Sequence, residues 1–89
     1  MRPLGSLMHH LRLVMRMAKS TGTDLVDAYD DGRLSQDEWA HMVQTCRGCQ
    51  WSERCPGWLD EHEIAATVPA TCPNRARFAA LKAGQEMRQ

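Results

Sequence analysis

The chain has 89 residues, 43% of them hydrophobic, and its 11 basic and 11 acidic side chains cancel to a formal net charge of zero. That length means one domain, residues 1–89, with enough apolar content to fold, and no apolar run reaches the ~20 residues of a membrane span. Without net charge or a strong basic stripe the chain lacks the footprint of phosphate-driven binding, so nucleic acid is disfavoured as a partner.

The elements read as helices throughout, since Pro and Gly are few and β-branched residues never accumulate. Helix one is expected from about Ser6 to Ser20, with Leu4, Leu7, Met8, Leu11, Val14, Met15 and Ala18 as its apolar stripe and His9, Arg12, Arg16 and Lys19 on the other side. His9, His10, Arg12 and Arg16 also break the stretch from Leu4 to Ala18, which therefore reads as no signal peptide. The expected compartment is the cytoplasm. Thr21-Gly22 ends the helix. Thr23 or Asp24 caps a short second helix through Leu25, Val26, Ala28 and Tyr29, and Gly32 supplies its left-handed terminus.

Helix three opens on a capping box, Ser35-Gln36-Asp37-Glu38, with Leu34 and Trp39 placed for a hydrophobic staple. Trp39, Met42, Val43 and Cys46 follow at helical spacing. Ser52 is the expected cap of helix four, on which Cys55, Trp58, Leu59 and His62 share a face and which Pro69 ends. Cys72-Pro73 is expected to open helix five, running through Phe78 and Leu81 to Gly84. The predicted fold is therefore all-α, a compact bundle of about five short helices. Acids concentrate in its middle: residues 24–63 carry ten, against Arg33, Arg47 and Arg54.

The chemistry lies in four cysteines, Cys46, Cys49, Cys55 and Cys72, spaced C-x2-C-x5-C-x16-C. They fall at helix ends in the C-terminal half, within residues 35–84 or so. A core this small often adds a metal, disulfides or a partner. In a reducing compartment clustered cysteines bind metal or do redox chemistry more often than they form lasting disulfides. Structural zinc sites usually present two matched C-x2-C or C-x4-C knuckles. The lopsided three-plus-one pattern, with proline after the third and fourth cysteines, is closer to the ligation of a [4Fe-4S] cluster. One Zn2+ is the alternative, and two disulfides or four buried thiols the case without metal. Arg47, Arg54, Arg75 and Arg77 flank the ligands, where guanidinium groups would offset the charge of bound thiolates. Trp58 is expected to shield the site. His62 shares a face with Cys55 and could replace a thiol as ligand, although a partly exposed histidine is the simpler reading.

The triplet Cys46-x2-Cys49-x5-Cys55 resembles the last three ligands of the endonuclease III-type glycosylase cluster and those of the WhiB-like regulators. In both, a remote fourth cysteine precedes the triplet, whereas Cys72 follows it, so neither fold carries over. Pro56-Gly57-Trp58-Leu59 also resembles the apolar residues after the third ligand in WhiB-like proteins. A wider pattern comprises Arg16-Met17-Ala18, Thr23-Asp24-Leu25, Gly32-Arg33-Leu34-Ser35, Cys46-Arg47-Gly48-Cys49, Cys55, Trp58-Leu59 and Cys72-x-Asn74. It resembles a family of short bacterial proteins known only as a domain of unknown function. That resemblance implies one helical domain with four cysteine ligand candidates and brings no activity with it.

Other signals have simpler explanations. Asp27, Asp31, Gly32 and Glu38 partly match a calcium loop, but Tyr29 stands where a ligand belongs, and a helix–turn–helix accounts for every residue. His9-His10 with Met8, Met15 and Met17 suggests soft-metal binding, but methionine on a helical stripe is usually core. Trp51, between Cys49 and Cys55, is a candidate for partner docking. No nucleophile–base pattern or phosphate loop is present, and all four cysteines are needed to close the site, so no enzyme is expected. The expectation is a small metal-binding protein acting in redox or oxygen sensing or in accessory electron transfer. The alternative is a structural-zinc interaction module. In either case a protein partner is expected, or a second copy docked through helix one.

Overall fold

The computed structural model describes residues 6–51, 53–65 and 68–87. Five helices follow in order: α1 Leu7–Ser20, α2 Leu25–Asp30, α3 Gln36–Arg47, α4 Cys55–Glu61 and α5 Arg75–Met87. The all-α reading holds, with no strand among the described residues. α1 packs on α3 and α4, while α2 packs on α5. The core draws Leu13, Val14, Met17 and Ala18 from α1 and Leu25 and Ala28 from α2. Leu34 joins them, with Met42 and Val43 of α3, Cys55 and Leu59 of α4, Val68, and Phe78 and Leu81 of α5. None of the helices is long, and the two shortest, at six and seven residues, depend on this shared burial because so few turns are marginal alone.

The caps behave as the sequence implies. Ser6 Oγ accepts from the His9 N–H, and Asp24 Oδ1 accepts from the Asp27 N–H at 2.9 Å. The capping box of α3 is complete: the Ser35 N–H donates to Glu38 Oε1 at 2.9 Å and the Glu38 N–H to Ser35 Oγ at 3.0 Å. Gly32 takes φ +79°, where a side chain would be strained. The Arg33 guanidinium occupies the middle of the supposed calcium loop. It bonds Asp31 at 2.8 Å, Asp27 at 3.2 Å and the Leu81 carbonyl at 3.0 Å. The carboxylates thus already face a cation, and Glu38 is bound to Arg77 at 2.7 Å.

Three expectations need correction. α1 is rotated from its predicted face: Leu13, Val14, Met17 and Ala18 are buried, while Leu7, Met8 and Met15 are 51%, 56% and 38% exposed. The helix carries two overlapping apolar stripes that share Val14 and Ala18, and periodicity alone does not choose between them. Leu4 lies outside the described residues. α4 ends at Glu61, well before Pro69, because Ser20 at the end of α1 captures the chain. Ser20 Oγ donates to the His62 carbonyl and the Ala65 N–H donates to the Ser20 carbonyl at 2.8 Å. α5 begins at Arg75, so Cys72 and Pro73 lie in the turn before it, and the helix continues past Gly84. Ser52, the expected cap of α4, is outside the described residues, and the observed N-cap residue Arg54 makes no side-chain cap bond.

Candidate metal centre

Each thiol arrives by a local structural device. The buried stripe of α3 carries Cys46 to the last turn of that helix. The chain then tightens: the Cys49 N–H donates to the Cys46 carbonyl at 3.1 Å, and the Arg54 and Cys55 N–H groups donate to the Trp51 carbonyl at 3.0 and 3.2 Å. These bonds bring Cys49 back toward Cys46 and start α4 at Cys55, which Pro56 follows in the favoured first turn. Cys72 is held in a turn of its own. Its N–H donates to the Pro69 carbonyl at 3.0 Å, and its carbonyl accepts from the Arg75 N–H at 3.1 Å.

The four sulfurs converge. Cys46, Cys49, Cys55 and Cys72 line one small cavity whose walls are Leu13, Val14 and Met17 of α1, Phe78 of α5, Trp51, Pro73 and Asn74. All four are free thiols; Cys55 is buried and the others are half-buried. The cavity measures about 20 Å³, room for roughly one water-sized sphere. Among the described residues, no three His, Cys, Asp or Glu side chains already stand in an arrangement that would hold a single ion. The thiols therefore surround a common space without closing on one point. A much larger groove, about 700 Å³, shares Pro73 and Phe78 with this cavity but is lined by none of the cysteines.

Burial and mutual proximity set the electrostatics of the thiols. Burial, and then the neighbouring sulfurs Cys55, Cys49 and Cys72, push the Cys46 thiol up to about 12. Burial, with Cys72 and Cys49, pushes Cys55 up to about 11, opposed by Arg16. Burial also raises Cys72, opposed by the Asn74 backbone N–H, which donates to its sulfur. The Trp51 N–H likewise donates to Cys49 Sγ at 3.4 Å. Without a metal, the crowded sulfurs favour the protonated form. A bound cation would remove both the desolvation penalty and the mutual repulsion. Four sulfurs with apolar walls form the donor set that a [4Fe-4S] cluster or a tetrahedral zinc takes.

The expected supporting residues fare less well. Arg47 bonds Gln44 at 3.0 Å on the surface of α3, Arg54 and Arg75 are exposed, and Arg75 lines the larger groove. Trp58 and His62 stack at 4.3 Å between ring centroids, and His62 Nδ1 lies 2.8 Å from the Trp58 carbonyl oxygen. None of these five lines the thiol cavity, and His62, a candidate replacement for a thiol, stacks on Trp58 instead. Trp51, expected to be available for docking, is half-buried as part of the cavity wall. The His9 and His10 rings meet edge to face at 5.0 Å, and His10 Nδ1 is engaged with the Ser6 carbonyl at 2.8 Å. Met17 meanwhile lies in the core while Met8 and Met15 are exposed, so these methionines do not share one face of α1.

Two residues that the sequence analysis named without a role at the thiols matter more. Arg16 is the cation that acts on Cys55, and it is held by Asp60 of α4 at 2.8 Å. Asn74 is 6% exposed and donates from Nδ2 to the Met42 carbonyl at 2.9 Å. It thereby ties the Cys72 turn to the helix that carries Cys46. Its place two residues after a cysteine was a usable signal, since that N–H can reach back to the sulfur.

Comparison with curated proteins and with solved structures gave no match, so the likeness of the cysteine triplet to endonuclease III-type glycosylases and WhiB-like regulators gains no support there. The model of a family of unknown function, DUF6455, matches residues 1–84, and the chain belongs to that family.

Proposed function

We propose that this protein binds a metal centre through Cys46, Cys49, Cys55 and Cys72, and that the centre is a [4Fe-4S] cluster serving redox or oxygen sensing or accessory electron transfer. The convergence of the four thiols on one cavity carries the reading. The three-plus-one spacing favours the cluster over a zinc knuckle pair. A bound cluster would supply one-electron chemistry. The chain supplies apolar walls that keep water away, two backbone N–H donors to sulfur from Trp51 and Asn74, and the Arg16 charge beside Cys55. In a sensing role, release of the cluster would free the end of α3, the start of α4 and the turn before α5 from their common anchor. A partner protein would read that change. The proposal places the protein in a reducing compartment, the cytoplasm, and assigns it no catalysis, because all four thiols are used in closing the site.

A second reading, structural zinc in an interaction module, is favoured by the cavity volume. About 20 Å³ suits one ion as it stands, and a cluster needs the walls to move apart. Anaerobic purification decides between them. Brown protein containing iron and sulfide supports the cluster, and colourless protein with one zinc per chain supports the alternative. Protein that takes up neither, even after reconstitution with iron and sulfide or with zinc, would end the metal reading. Unchanged metal content in Cys72→Ser would remove Cys72 from the ligand set.

A further inference from the structure

We propose that this protein pairs with a second copy of itself about a two-fold axis, the outer face of α1 in one copy lying on the outer face of α2 in the other. The proposal is independent of the metal centre. The rotation of α1 that buries Leu13 and Met17 leaves Met8 and Met15 of the second stripe outside. Met8, Arg12, Met15 and Lys19 follow one another at four- and three-residue steps along that outer face. α2 presents Val26 at 53% and Tyr29 at 46% exposure, beside Asp30. The two faces are continuous, since Met15, Lys19, Asp24 and Val26 line one groove of about 380 Å³.

Charge identifies the occupant. α1 contributes Arg12 and Lys19 to this surface and no acid, while α2 and its N-cap residue contribute Asp30 and Asp24 and no base. Arg12, Lys19 and Asp30 have no ion-pair partner among the described residues. An isologous interface must be complementary to itself, residue i meeting j and j meeting i. A surface with a cationic half, an anionic half and apolar groups in both satisfies that condition, because half a turn sets each half on its opposite. The same surface suits an anionic membrane poorly, because the α2 carboxylates would face the lipid charge. Zero net charge leaves two copies with little general repulsion.

Charge reversal tests the pairing on the intact chain by sedimentation equilibrium over a range of protein and salt concentrations. The wild type is expected to dimerise, less so as salt rises. Arg12→Glu and Asp30→Arg should each weaken dimerisation by about tenfold or more. Mixed in equal amounts, the two variants should recover wild-type dimerisation, because both inter-copy contacts then join opposite charges. Both positions are exposed, and unchanged helical circular dichroism checks that the fold survives. Met15→Lys, which blocks the apolar centre, should also give monomers. Wild-type protein that stays monomeric at every concentration, single variants that dimerise normally, or a mixture that stays monomeric would each overturn the proposal. Binding of monomeric wild type to anionic lipid vesicles would overturn it in favour of a membrane face.

Discussion

Asn74→Ala probes the link between the Cys72 turn and α3. The side chain is buried, and its Nδ2 bond to the Met42 carbonyl spans 32 residues of sequence. Truncation removes one neutral hydrogen bond but leaves no orphan, because the Met42 carbonyl keeps its helical partner four residues on. The lost bond and the void left by the amide together cost about 2 kcal/mol. For a domain of this size that is a fall of ~8–16 °C in melting temperature. Asn74→Asp is the sharper test. It keeps the shape but sets a carboxylate oxygen against the Met42 carbonyl, acceptor against acceptor, beside the Cys72 sulfur. Its cost at neutral pH should exceed that of alanine, about 3 kcal/mol or more, and should shrink as acid protonates the new carboxyl. Thermal unfolding of the metal-free protein by circular dichroism at two pH values measures both. Two variants that melt with the wild type would refute the assigned role of Asn74.

Three further outcomes follow from the same structure. Cys46 and Cys55 are pushed up to about 12 and about 11 from a reference of 9.0, so the fold prefers their protonated forms. That contribution is complete below the unfolded value and disappears as pH rises through the folded values. The urea midpoint of metal-free protein should therefore fall between pH 9 and 11, and a midpoint that held or rose would contradict the buried placement of these thiols. Glu38 is held below its ordinary value by the Ser35 N–H, the Ser35 hydroxyl and Arg77; Glu38→Gln should thus be less stable than wild type at pH 7, and the gap should close as pH falls through the carboxylate range. Gly32→Ala, at φ +79° with open space around the added methyl, should cost about 1–2 kcal/mol from backbone strain alone. Gly57→Ala, in open space at an ordinary helical position, should instead stabilise by up to about 1 kcal/mol; equal melting shifts for the two would rule out that backbone argument.

What the sequence revealed, and what it did not, divides along the range of the interactions. The Ser35–Glu38 box, the Gly32 turn, the Asp24 cap and the helical path to Cys46 depend on neighbours within four residues, and the side chains involved advertise them. The convergence of the thiols was also legible, because C-x2-C and the short step to Cys55 leave the chain few places to go. The face of α1 was not, because its two apolar stripes differ only in what packs on them, and that choice is made by α3 and α4. The end of α4 was misplaced because Ser20, 42 residues from His62 in sequence, competes for the chain where proline seemed to be the only stop. The flanking arginines were misassigned for a related reason. Adjacency in sequence put Arg47 and Arg54 near the cysteines, but neither lines their cavity, while the Arg16 charge acts on Cys55 from a different helix.

The same distribution of contacts says where the proposed anchor at the thiols would act on the fold. α5 is held at both ends without any sulfur. Asn74 and Arg77 fix its start to α3. The Arg33 bond to the Leu81 carbonyl and the reciprocal bonds of Gln85 with Asp24 and Gly22 fix its far end. α4 is tied at its far end, where Ser20 bonds the His62 carbonyl and the Ala65 N–H, and is held less well at its start. It is seven residues long with no side-chain cap, and its ion pair with α1 joins groups 45% and 72% exposed, a class of contact worth little in water. Leu59 and Cys55 are its only buried residues. A ligand that draws Cys55 toward Cys46, Cys49 and Cys72 would therefore add most to the element the apolar core secures least. Of the three segments such a ligand would join, α4 would feel its loss most, because α3 and the start of α5 keep the Asn74 and Arg77 bonds to each other.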